Sequence, residues 1–448
     1  MKVAETIFKA YDIRGLVGTE LTEEVAEAVG RALADFLPDA GAVCVGYDMR
    51  PDSAALAAAA RAGLVRQGRQ VIDIGQVTTD MIYFATGSLG AAGGAMVTAS
   101  HNPGAYNGVK LCGAGARPLS IETGLADIRD AVEADRFKVA AAPGGETRQD
   151  VMESWVEHAL SFIRPASLKP FHIAVDAGNG MAGAVMPHLD GRWPLTVEPL
   201  FYELDGTFPN HVANPLIDEN NRFLIAKIKE DGLDFGVAFD GDGDRAFLID
   251  ELGRTVPGHI MSAMLCRHFL KLYPGSNIIY DARNSRLVEE TIAEGGGKAI
   301  MSRVGHSYIK QLMRQYDAPF GCEFSGHFYF RDDYYADSGL ISALVAIQVL
   351  SDSGKKLSEL VDGYAGRYAR SPEINFEVAD KAAKLAEIKK LYADGKISEL
   401  DGVTVNYPDW WFNVRASNTE PFLRLNVEAR TPVQLEAKLT ELKSVITG

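Results

Sequence analysis

Hydrophobic residues in the first hundred positions follow two spacings, one typical of amphipathic helices and one typical of buried strands. Leucine and valine recur every four residues from 21 to 37, which predicts a helix with one apolar face. An apolar run at 42–47, an alanine-rich segment at 53–67 and a second apolar run at 71–74 predict strand, helix and strand. Because strands and helices alternate, we predict a parallel or mixed sheet covered by helices.

The same order recurs along the chain. Three apolar runs each lead into an aspartate and then a helix-like segment: 42–47 into Asp48, 172–175 into Asp176, and 277–280 into Asp281. In each repeat a later strand ends in a polar loop that contains glycine, at 100–104, 240–244 and 323–327. We therefore predict an α/β fold with three similar α/β domains and mixed sheets, although the repeats share order rather than sequence identity.

Changes in composition mark the predicted domain boundaries. A stretch rich in alanine, proline and glycine at 140–145 ends the first α/β domain, and a turn at 251–253 follows the second. After residue 362 the pattern changes to a helical stretch rich in lysine, two strands and an amphipathic closing helix, at 380–392, 402–407, 410–414 and 432–445. We predict four domains, the last of them smaller and of α+β type: 1–147, 148–252, 253–364 and 365–448.

Composition narrows the class of protein. With 448 residues, 47% of them hydrophobic and 23% charged, the chain is expected to be globular and to contain several domains. A formal net charge of −15 argues against nucleic acid and anionic membranes as partners. No apolar run approaches the roughly 20 residues that span a bilayer, and residues 1–6 lack the features of a secretory signal. We therefore expect a cytoplasmic protein.

The cysteines suggest neither a zinc site nor a disulfide framework. They are far apart in sequence and form no CxxC pair: Cys44, Cys112, Cys266 and Cys322. We expect all of them to be buried thiols.

Ser100 is the first candidate for chemistry. The apolar run at 91–97 predicts a buried strand, and the Asn-Pro-Gly turn at 102–104 follows it closely. We predict that this turn presents Ser100 as an exposed and rigidly held hydroxyl beside His101. The alternative is a plain turn, because Ser, His and Asn before Pro are ordinary turn formers.

The segment 240–245, Asp-Gly-Asp-Gly-Asp-Arg, predicts a cation site. Carboxylates at alternate positions, with glycine between them, can direct their oxygens at one hard cation, and Mg²⁺ is the natural ion beside a phosphate. An EF-hand is the competing interpretation. However, Arg245 occupies the sixth position, where that loop requires glycine, and both flanks are predicted strands.

Other loops carry weaker signals. Residues 178–183 match GxGxxG after a strand, but a lone match favours a tight turn with close packing over a dinucleotide site. Glu323, Ser325 and His327 suit hydrogen bonds to neighbouring sugar hydroxyls. His306 is ambiguous between a structural and a proton-carrying role. The loop at 415–419 begins with an arginine and suits a phosphate, with Arg424 as a second cation.

In their order and spacing these loops resemble those of the α-D-phosphohexomutase superfamily, and more closely its bacterial phosphomannomutase/phosphoglucomutase branch. The most specific segments are TASHNP at 98–103, DGDGDR at 240–245 and RASNTEP at 415–421. The resemblance covers essentially the whole chain. It implies a heart-shaped molecule of four domains whose loops meet in one central cleft.

The resemblance also implies roles for individual residues. Ser100 would carry a phosphoryl group and would bind Mg²⁺ together with Asp240, Asp242 and Asp244. Arg14, Lys110 and His306 would line the reaction centre, with His101 and Arg245 close by. The substrate-binding residues suggested by the loops and the resemblance are Tyr11, Arg283, Glu323, Ser325, His327, Arg415, Ser417, Asn418, Thr419 and Arg424.

The function implied is reversible phosphoryl transfer between the 1- and 6-positions of glucose and mannose phosphates, through a phosphoserine and a hexose 1,6-bisphosphate. Phosphoglucosamine mutase, a metal-dependent sugar phosphatase and a non-catalytic sugar-phosphate binding protein are the alternatives. Small hexose phosphates would be the partners, and we expect a monomer, although no motif specifies it. The chain departs from the branch at three positions, with Arg283 for Lys, Phe324 for Met and Cys322 for Gly. Because Arg and Lys differ in hydrogen-bonding geometry, the phosphate or sugar contacts of Arg283 stay open.

Overall fold

The computed structural model describes residues 5–38, 41–417 and 422–448. The chain forms two compact units, one of Met1–Val256 with Ser325–Leu360 and one of Pro257–Phe324 with Val361–Gly448. Within the described ranges, no helix combines the length and the apolar composition needed to cross a bilayer. The elements are given in chain order below.

The first unit begins with a seven-stranded sheet. Its strands are β1 (Ile13–Leu16), β2 (Val43–Tyr47), β3 (Val71–Gln76), β4 (Gly93–Val97), β5 (Tyr106–Gly113), β6 (Arg117–Pro118) and β7 (Glu146–Arg148). Its helices are α1 (Glu23–Phe36), α2 (Ser53–Arg66), α3 (Thr79–Ser88) and α4 (Ala126–Glu133). The order is β1-β5-β4-β2-β3-β7, with β6 paired to β5. Because β2 and β4 are parallel, the segments that follow them meet at one sheet edge.

The same unit contains a four-stranded sheet. Its elements are α5 (Met152–Leu160), β8 (His172–Asp176), α6 (Ala182–Val185), β9 (Thr196–Leu200), α7 (Arg222–Asp231), β10 (Phe235–Phe239) and β11 (Ala246–Asp250). The order is β11-β10-β8-β9, and β11 runs antiparallel to β10. The three glycines of 178–183 fit close packing, since a Cβ on Gly180 would lie 2.7 Å from the Gly241 carbonyl oxygen. The motif therefore acts as a packing turn, as predicted.

The segment at 257–324 of the second unit contributes three parallel strands to a sheet. Its elements are α8 (Gly258–Leu272), β12 (Asn277–Asp281), α9 (Arg286–Glu294), β13 (Lys298–Ser302), α10 (His306–Tyr316) and β14 (Phe320–Cys322). The central strand β12 pairs in parallel with both β13 and β14. The polar loop at 323–327 follows β14 directly.

Residues 325–360 return to the first unit. Their elements are β15 (Phe328–Phe330), β16 (Ala336–Asp337), α11 (Gly339–Ser353) and the start of α12 (Leu357–Asp362). The strands β15 and β16 pair antiparallel, and Ser338 caps α11 by accepting the Ile341 N–H.

The C-terminal region of the second unit is an antiparallel sheet with two helices. Its elements are β17 (Ala369–Arg370), β18 (Ile374–Glu377), α13 (Lys381–Leu391), β19 (Lys396–Ser398), β20 (Val403–Asn406), β21 (Trp410–Ala416), β22 (Phe422–Ala429) and α14 (Pro432–Thr447). The order is β17-β22-β21-β20-β19, with β18 also paired to β22.

The prediction of three α/β regions with mixed sheets and an α+β tail is confirmed. The helix predicted at 21–37 is α1, which Thr22 caps by accepting the Val25 N–H. The strand β22 was not predicted, although it is the central partner of this last sheet. All four cysteines are buried thiols, as predicted. The boundaries at 147, 252 and 364 remain predictions.

Candidate active site

The serine loop follows β4 and is held in an unusual backbone conformation. Ser100 has φ of +51°, in the left-handed region that non-glycine residues rarely occupy. Its N–H donates to Thr98 Oγ1 at 2.9 Å, which stabilises this conformation. Strain of this kind persists only where the surroundings fix it, and it is often found at functional sites.

The prediction that Ser100 is exposed is wrong. Only 2% of the residue is accessible to solvent. The loop between β10 and β11 packs directly on it, because a Cβ on Gly241 would lie 2.6 Å from the Ser100 carbonyl oxygen. Glycine is therefore required there for the two loops to approach. The turn presents the hydroxyl to a protein loop rather than to bulk solvent.

Arg50 anchors the serine loop from the neighbouring strand end. Its guanidinium donates to four backbone carbonyls of the loop, those of Ser100 at 2.8 Å, Asn102 at 2.6 Å, Pro103 at 3.0 Å and Tyr106 at 2.8 Å. Asp48 accepts the Arg50 N–H at 3.0 Å and lies 3.3 Å from its Nε. Both side chains are almost fully buried. The guanidinium of Arg50 thus fixes the position of Ser100, the candidate nucleophile.

The Ser100 hydroxyl contacts two acceptors. Its Oγ lies 3.2 Å from Asp240 Oδ2 and 3.1 Å from His101 Nδ1. Arg245 donates to both of these groups, through Nε to Asp240 Oδ2 at 2.8 Å and through Nη2 to His101 Nδ1 at 2.6 Å. Burial, with Arg245 and Arg14 nearby, holds the pKa of His101 well below its usual range. The imidazole is therefore neutral at physiological pH.

The tri-aspartate loop has the geometry of a cation site. One carboxylate oxygen each from Asp240, Asp242 and Asp244 lies within 4.8 Å of the others, and all three residues are buried. Asp242 Oδ1 is buried without a hydrogen-bond partner, which is costly unless a cation binds there. Strands flank the loop on both sides, so the EF-hand interpretation is excluded. These residues fit a hard divalent cation.

Lys110 partly neutralises the loop. It lies on β5, and its Nζ donates to Asp242 Oδ2 and to Asp244 Oδ2, each at 2.7 Å. Burial alone would raise the pKa of Asp244, but Lys110 and His327 outweigh burial and lower it. Arg14 lies on β1, bonds Asp12 at 2.7 Å and donates to Asn102 Oδ1 at 2.7 Å. Arg14, Lys110, His101 and Arg245 therefore converge on the serine and aspartate loops.

Thr79 completes the surroundings of the tri-aspartate loop. Thr79 donates through Oγ1 to Asp242 Oδ2 at 2.6 Å and through its N–H to the Asp242 carbonyl at 3.0 Å. It therefore orients one ligand of the cation site. Tyr11 is half-buried in the bend that precedes β1.

Two members of the predicted sugar loop, Ser325 and His327, belong to the first unit. Ser325 Oγ lies 3.0 Å from His327 Nδ1. His327 Nε2 lies 3.7 Å from Asp244 Oδ1. These two residues are thus brought beside the cation site.

Glu323, Arg283 and His306 belong to the second unit. Glu323 Oε1 accepts the Gly305 N–H at 2.8 Å, and His306 is the first residue of α10. Asp281 accepts from Arg283 Nε at 2.8 Å and from the Phe324 N–H at 3.1 Å. Asp281 therefore connects Arg283 to the loop that contains Phe324. Arg283 has this structural contact in addition to its predicted role in substrate binding.

Two arginines of the C-terminal sheet form ion pairs with one glutamate that we did not predict. Arg415 and Arg424 lie opposite each other on β21 and β22, where like charges repel. Glu373 bridges them, with Oε2 3.0 Å from Arg415 Nη2 and Oε1 3.4 Å from Arg424 Nη1. Ser417 is buried just after β21. The predicted residues Asn418 and Thr419 lie outside the described residues.

Comparison with known proteins places this arrangement in a family. Four regions match the phosphoglucomutase/phosphomannomutase domains: alpha/beta/alpha domain I over 5–139, domain II over 153–253, domain III over 257–368 and the C-terminal domain over 373–442. The chain is 42% identical to the phosphohexose mutases of Xanthomonas campestris pv. campestris (strain B100), over 98% of this chain and 99% of that protein. It is 41% identical to the phosphomannomutase of Salmonella montevideo, over 99% of each.

Comparison with solved structures supports the same family. The phosphoglucomutase/phosphomannomutase family protein of Burkholderia thailandensis has a TM-score of 0.91 at 31% identity, over 99% of this chain and 97% of that chain. A glucose 1,6-bisphosphate complex of the N-acetylphosphoglucosamine mutase of Aspergillus fumigatus shares the fold, with a TM-score of 0.64 at 14% identity over 100% and 96% of the chains. The chain therefore belongs to the phosphoglucomutase/phosphomannomutase family and is a phosphohexomutase.

Proposed function

We propose that the enzyme transfers a phosphoryl group reversibly between the 1- and 6-positions of glucose and mannose phosphates, with Ser100 as the carrier and a hexose 1,6-bisphosphate as the intermediate. The observation that carries the proposal is the placement of Ser100 Oγ, 3.2 Å from Asp240 Oδ2 and 3.1 Å from His101 Nδ1. A serine hydroxyl is a poor nucleophile unless it is activated, and a carboxylate in contact with it, as Asp240 is with Ser100 Oγ, can supply that activation when Ser100 accepts the phosphoryl group. The bisphosphate named with the Aspergillus relative is consistent with this scheme.

In the proposed cycle, phospho-Ser100 gives its phosphoryl group to the free hydroxyl of a hexose 1-phosphate. The bisphosphate then turns over, and the hydroxyl of Ser100 accepts the phosphoryl group from the other end. In the first step the proton of the sugar hydroxyl would pass to the released Ser100 oxygen, and in the second the serine proton would return to the released sugar oxygen, with Asp240, 3.2 Å from Ser100 Oγ, as the acceptor in contact with it. Arg50 holds the loop still, and Lys110, Arg14 and Arg245 supply the positive charge that phosphoryl transfer requires.

The tri-aspartate loop is proposed to bind Mg²⁺ through Asp240, Asp242 and Asp244, with Ser100 Oγ or its phosphate completing the site. The ion would stabilise the negative charge of the phosphoryl oxygens. Glu323, Ser325 and His327 are proposed to bind the sugar hydroxyls. Arg415, Ser417 and the neighbouring Asn418 and Thr419, with Arg424, are proposed to bind the phosphate that does not react.

Cation binding should depend on pH through Asp240. Burial raises the pKa of its carboxyl to about 7, with Arg245 opposing and Asp244 and Asp242 adding to the shift. In the metal-free protein, the stability contributed by protonated Asp240 is present below about pH 4 and is lost as the pH rises through 7. Since Mg²⁺ must displace that proton, its affinity should be about tenfold higher at pH 8 than at pH 6. Isothermal titration calorimetry measures this, and equal affinities would contradict it.

A substrate comparison tests the proposed activity. Glucose, mannose and glucosamine 1-phosphates are assayed side by side, with and without added glucose 1,6-bisphosphate. We expect conversion of the glucose and mannose esters, faster when bisphosphate is present, and little conversion of the glucosamine ester. Release of inorganic phosphate without formation of the 6-phosphate would instead show a phosphatase and would overturn the proposal.

A further inference from the structure

Asp80 is a fully buried carboxylate of the first unit that has no part in the function proposed above. It lies in the first turn of α3. Its Oδ1 accepts the hydroxyl of Thr78, and its Oδ2 accepts the hydroxyl of Ser338 at 2.6 Å. Ser338 is distant in sequence and is the N-cap of α11. The side chain of Asp80 therefore joins the start of α3 to the start of α11.

The start of α3 contacts the tri-aspartate loop. Thr79 donates its hydroxyl to Asp242 Oδ2 at 2.6 Å and its N–H to the Asp242 carbonyl at 3.0 Å. The methyl group of Thr78 lies 2.9 Å from the position that a Cβ on Gly243 would occupy. The hydroxyl on the same carbon of Thr78 is the one that Asp80 accepts. Asp80 therefore fixes the rotamer of Thr78 and the packing of its methyl group against the loop.

The start of α11 contacts the same loop. Gly339 approaches it so closely that a Cβ on this residue would lie 2.5 Å from the Gly243 carbonyl oxygen. The hydroxyl of Ser338, the preceding residue, caps α11 and also donates to Asp80. Both helix starts that Asp80 connects thus pack against Gly243, between two of the proposed cation ligands.

We propose that Asp80 is a positioning residue for the cation site: by joining α3 to α11, it holds the tri-aspartate loop in the conformation that binds Mg²⁺. It acts through Thr78, Thr79 and Ser338 rather than as a ligand. Removal of groups that orient metal ligands commonly lowers metal affinity by about 10- to 100-fold. The inference rests on the proposed binding of Mg²⁺ by the tri-aspartate loop.

Two substitutions remove the hydrogen bonds of Asp80. Asp80→Ala removes both of them, and Mg²⁺ should then bind about tenfold more weakly than to wild type. Thr78→Val keeps a methyl group against Gly243 but removes the hydroxyl, so it should weaken binding by about threefold, as expected for the loss of one hydrogen bond.

Asp80→Asn is the conservative variant and should restore Mg²⁺ affinity to within about twofold of wild type. Burial raises the pKa of the Asp80 carboxyl well above its usual range, so a neutral side chain is suited to this position. The asparagine carbonyl can accept the hydroxyl of Ser338, and its amide can donate to Thr78. Both links between the helix starts are therefore kept.

Thr86→Val is the matched control. Thr86 lies further along α3, is fully buried and donates its hydroxyl to the Ile82 carbonyl at 2.7 Å. The substitution removes a buried hydrogen bond from the same helix, so it should lower stability while leaving Mg²⁺ affinity within about twofold of wild type.

The test is isothermal titration of Mg²⁺ into the full-length proteins at about pH 8, where Asp240 is ionised. Circular dichroism checks that each variant is folded, and Thr78→Val decides the outcome if Asp80→Ala does not fold. A rate assay gives a second readout. The lower rate of Asp80→Ala at low Mg²⁺ should be recovered at high Mg²⁺, which a loss of folded protein would not allow.

The outcomes separate this inference from the proposed function. If wild type binds Mg²⁺, wild-type affinity in folded Asp80→Ala or in Thr78→Val would overturn the inference alone. An equal loss of affinity in Thr86→Val would do the same, because the effect would then be a general loss of stability. If wild type binds no Mg²⁺, the proposed cation site fails and this inference fails with it.

Discussion

Replacing Ser100 with alanine is expected to lower kcat for the conversion of glucose 1-phosphate to glucose 6-phosphate by at least about 10³-fold, because the proposed phosphoryl carrier is removed. The residue is small and buried, and alanine fits the same space, so folding should change little. The cation site should lose only one ligand and should still bind Mg²⁺. A coupled assay with glucose 6-phosphate dehydrogenase measures the rate.

The matched control is Ser325→Ala. Ser325 is a serine of the same unit, and its proposed role is to bind the sugar rather than to transfer the phosphoryl group. It should raise KM more than it lowers kcat. A Ser100→Ala enzyme that retained a tenth or more of the wild-type kcat would contradict the role given to this residue.

Replacing Arg50 with methionine is the change with the next largest expected effect. It leaves Asp48 buried without its partner and removes the donor to four carbonyls of the serine loop. Breaking a buried pair in this way costs about 3–5 kcal/mol. The free energy of unfolding of the first unit should fall by that amount in urea, and kcat should fall about tenfold or more because the loop is no longer fixed.

Arg66→Met is the matched control for Arg50→Met. Arg66 lies on α2 of the same unit, but its side chain is 63% exposed and pairs with Glu27 at the surface. Exposed pairs contribute little, so the unfolding free energy should stay within about 0.5 kcal/mol of wild type. Equal stability of the Arg50 and Arg66 variants would show that Arg50 does not anchor the loop.

The sequence predicted much of the fold because the signals involved are local. The four-residue spacing of α1, the apolar run of β4 and the alternating aspartates at 240–244 each lie within one segment. The strand β22 was missed although it pairs with three other strands. It follows the loop at 415–421 closely, and its alternation of Leu and Val with polar residues gave a weaker signal than the continuous apolar runs.

The site was predicted less completely because its geometry depends on contacts between distant segments. Ser100 is buried by Gly241, and nothing near Ser100 in the sequence indicates that contact. Arg50 and Glu373 were missed for the same reason, since Ser100 lies 50 residues from Arg50 and Arg415 lies 42 residues from Glu373. For Arg50 a signal was available: a buried aspartate and an arginine follow β2, next to the strand that leads to Ser100.

The most direct test of the central claim, that Ser100 carries the transferred phosphoryl group, is a transfer experiment. Dephosphorylated enzyme is incubated with ³²P-labelled glucose 1,6-bisphosphate, freed of ligand and digested, and the labelled peptide is identified by mass spectrometry. We predict the label on Ser100, and its transfer to glucose 6-phosphate when unlabelled glucose 1-phosphate is added before digestion. A label on any other residue, or its release as inorganic phosphate instead of transfer to the sugar, would contradict the account.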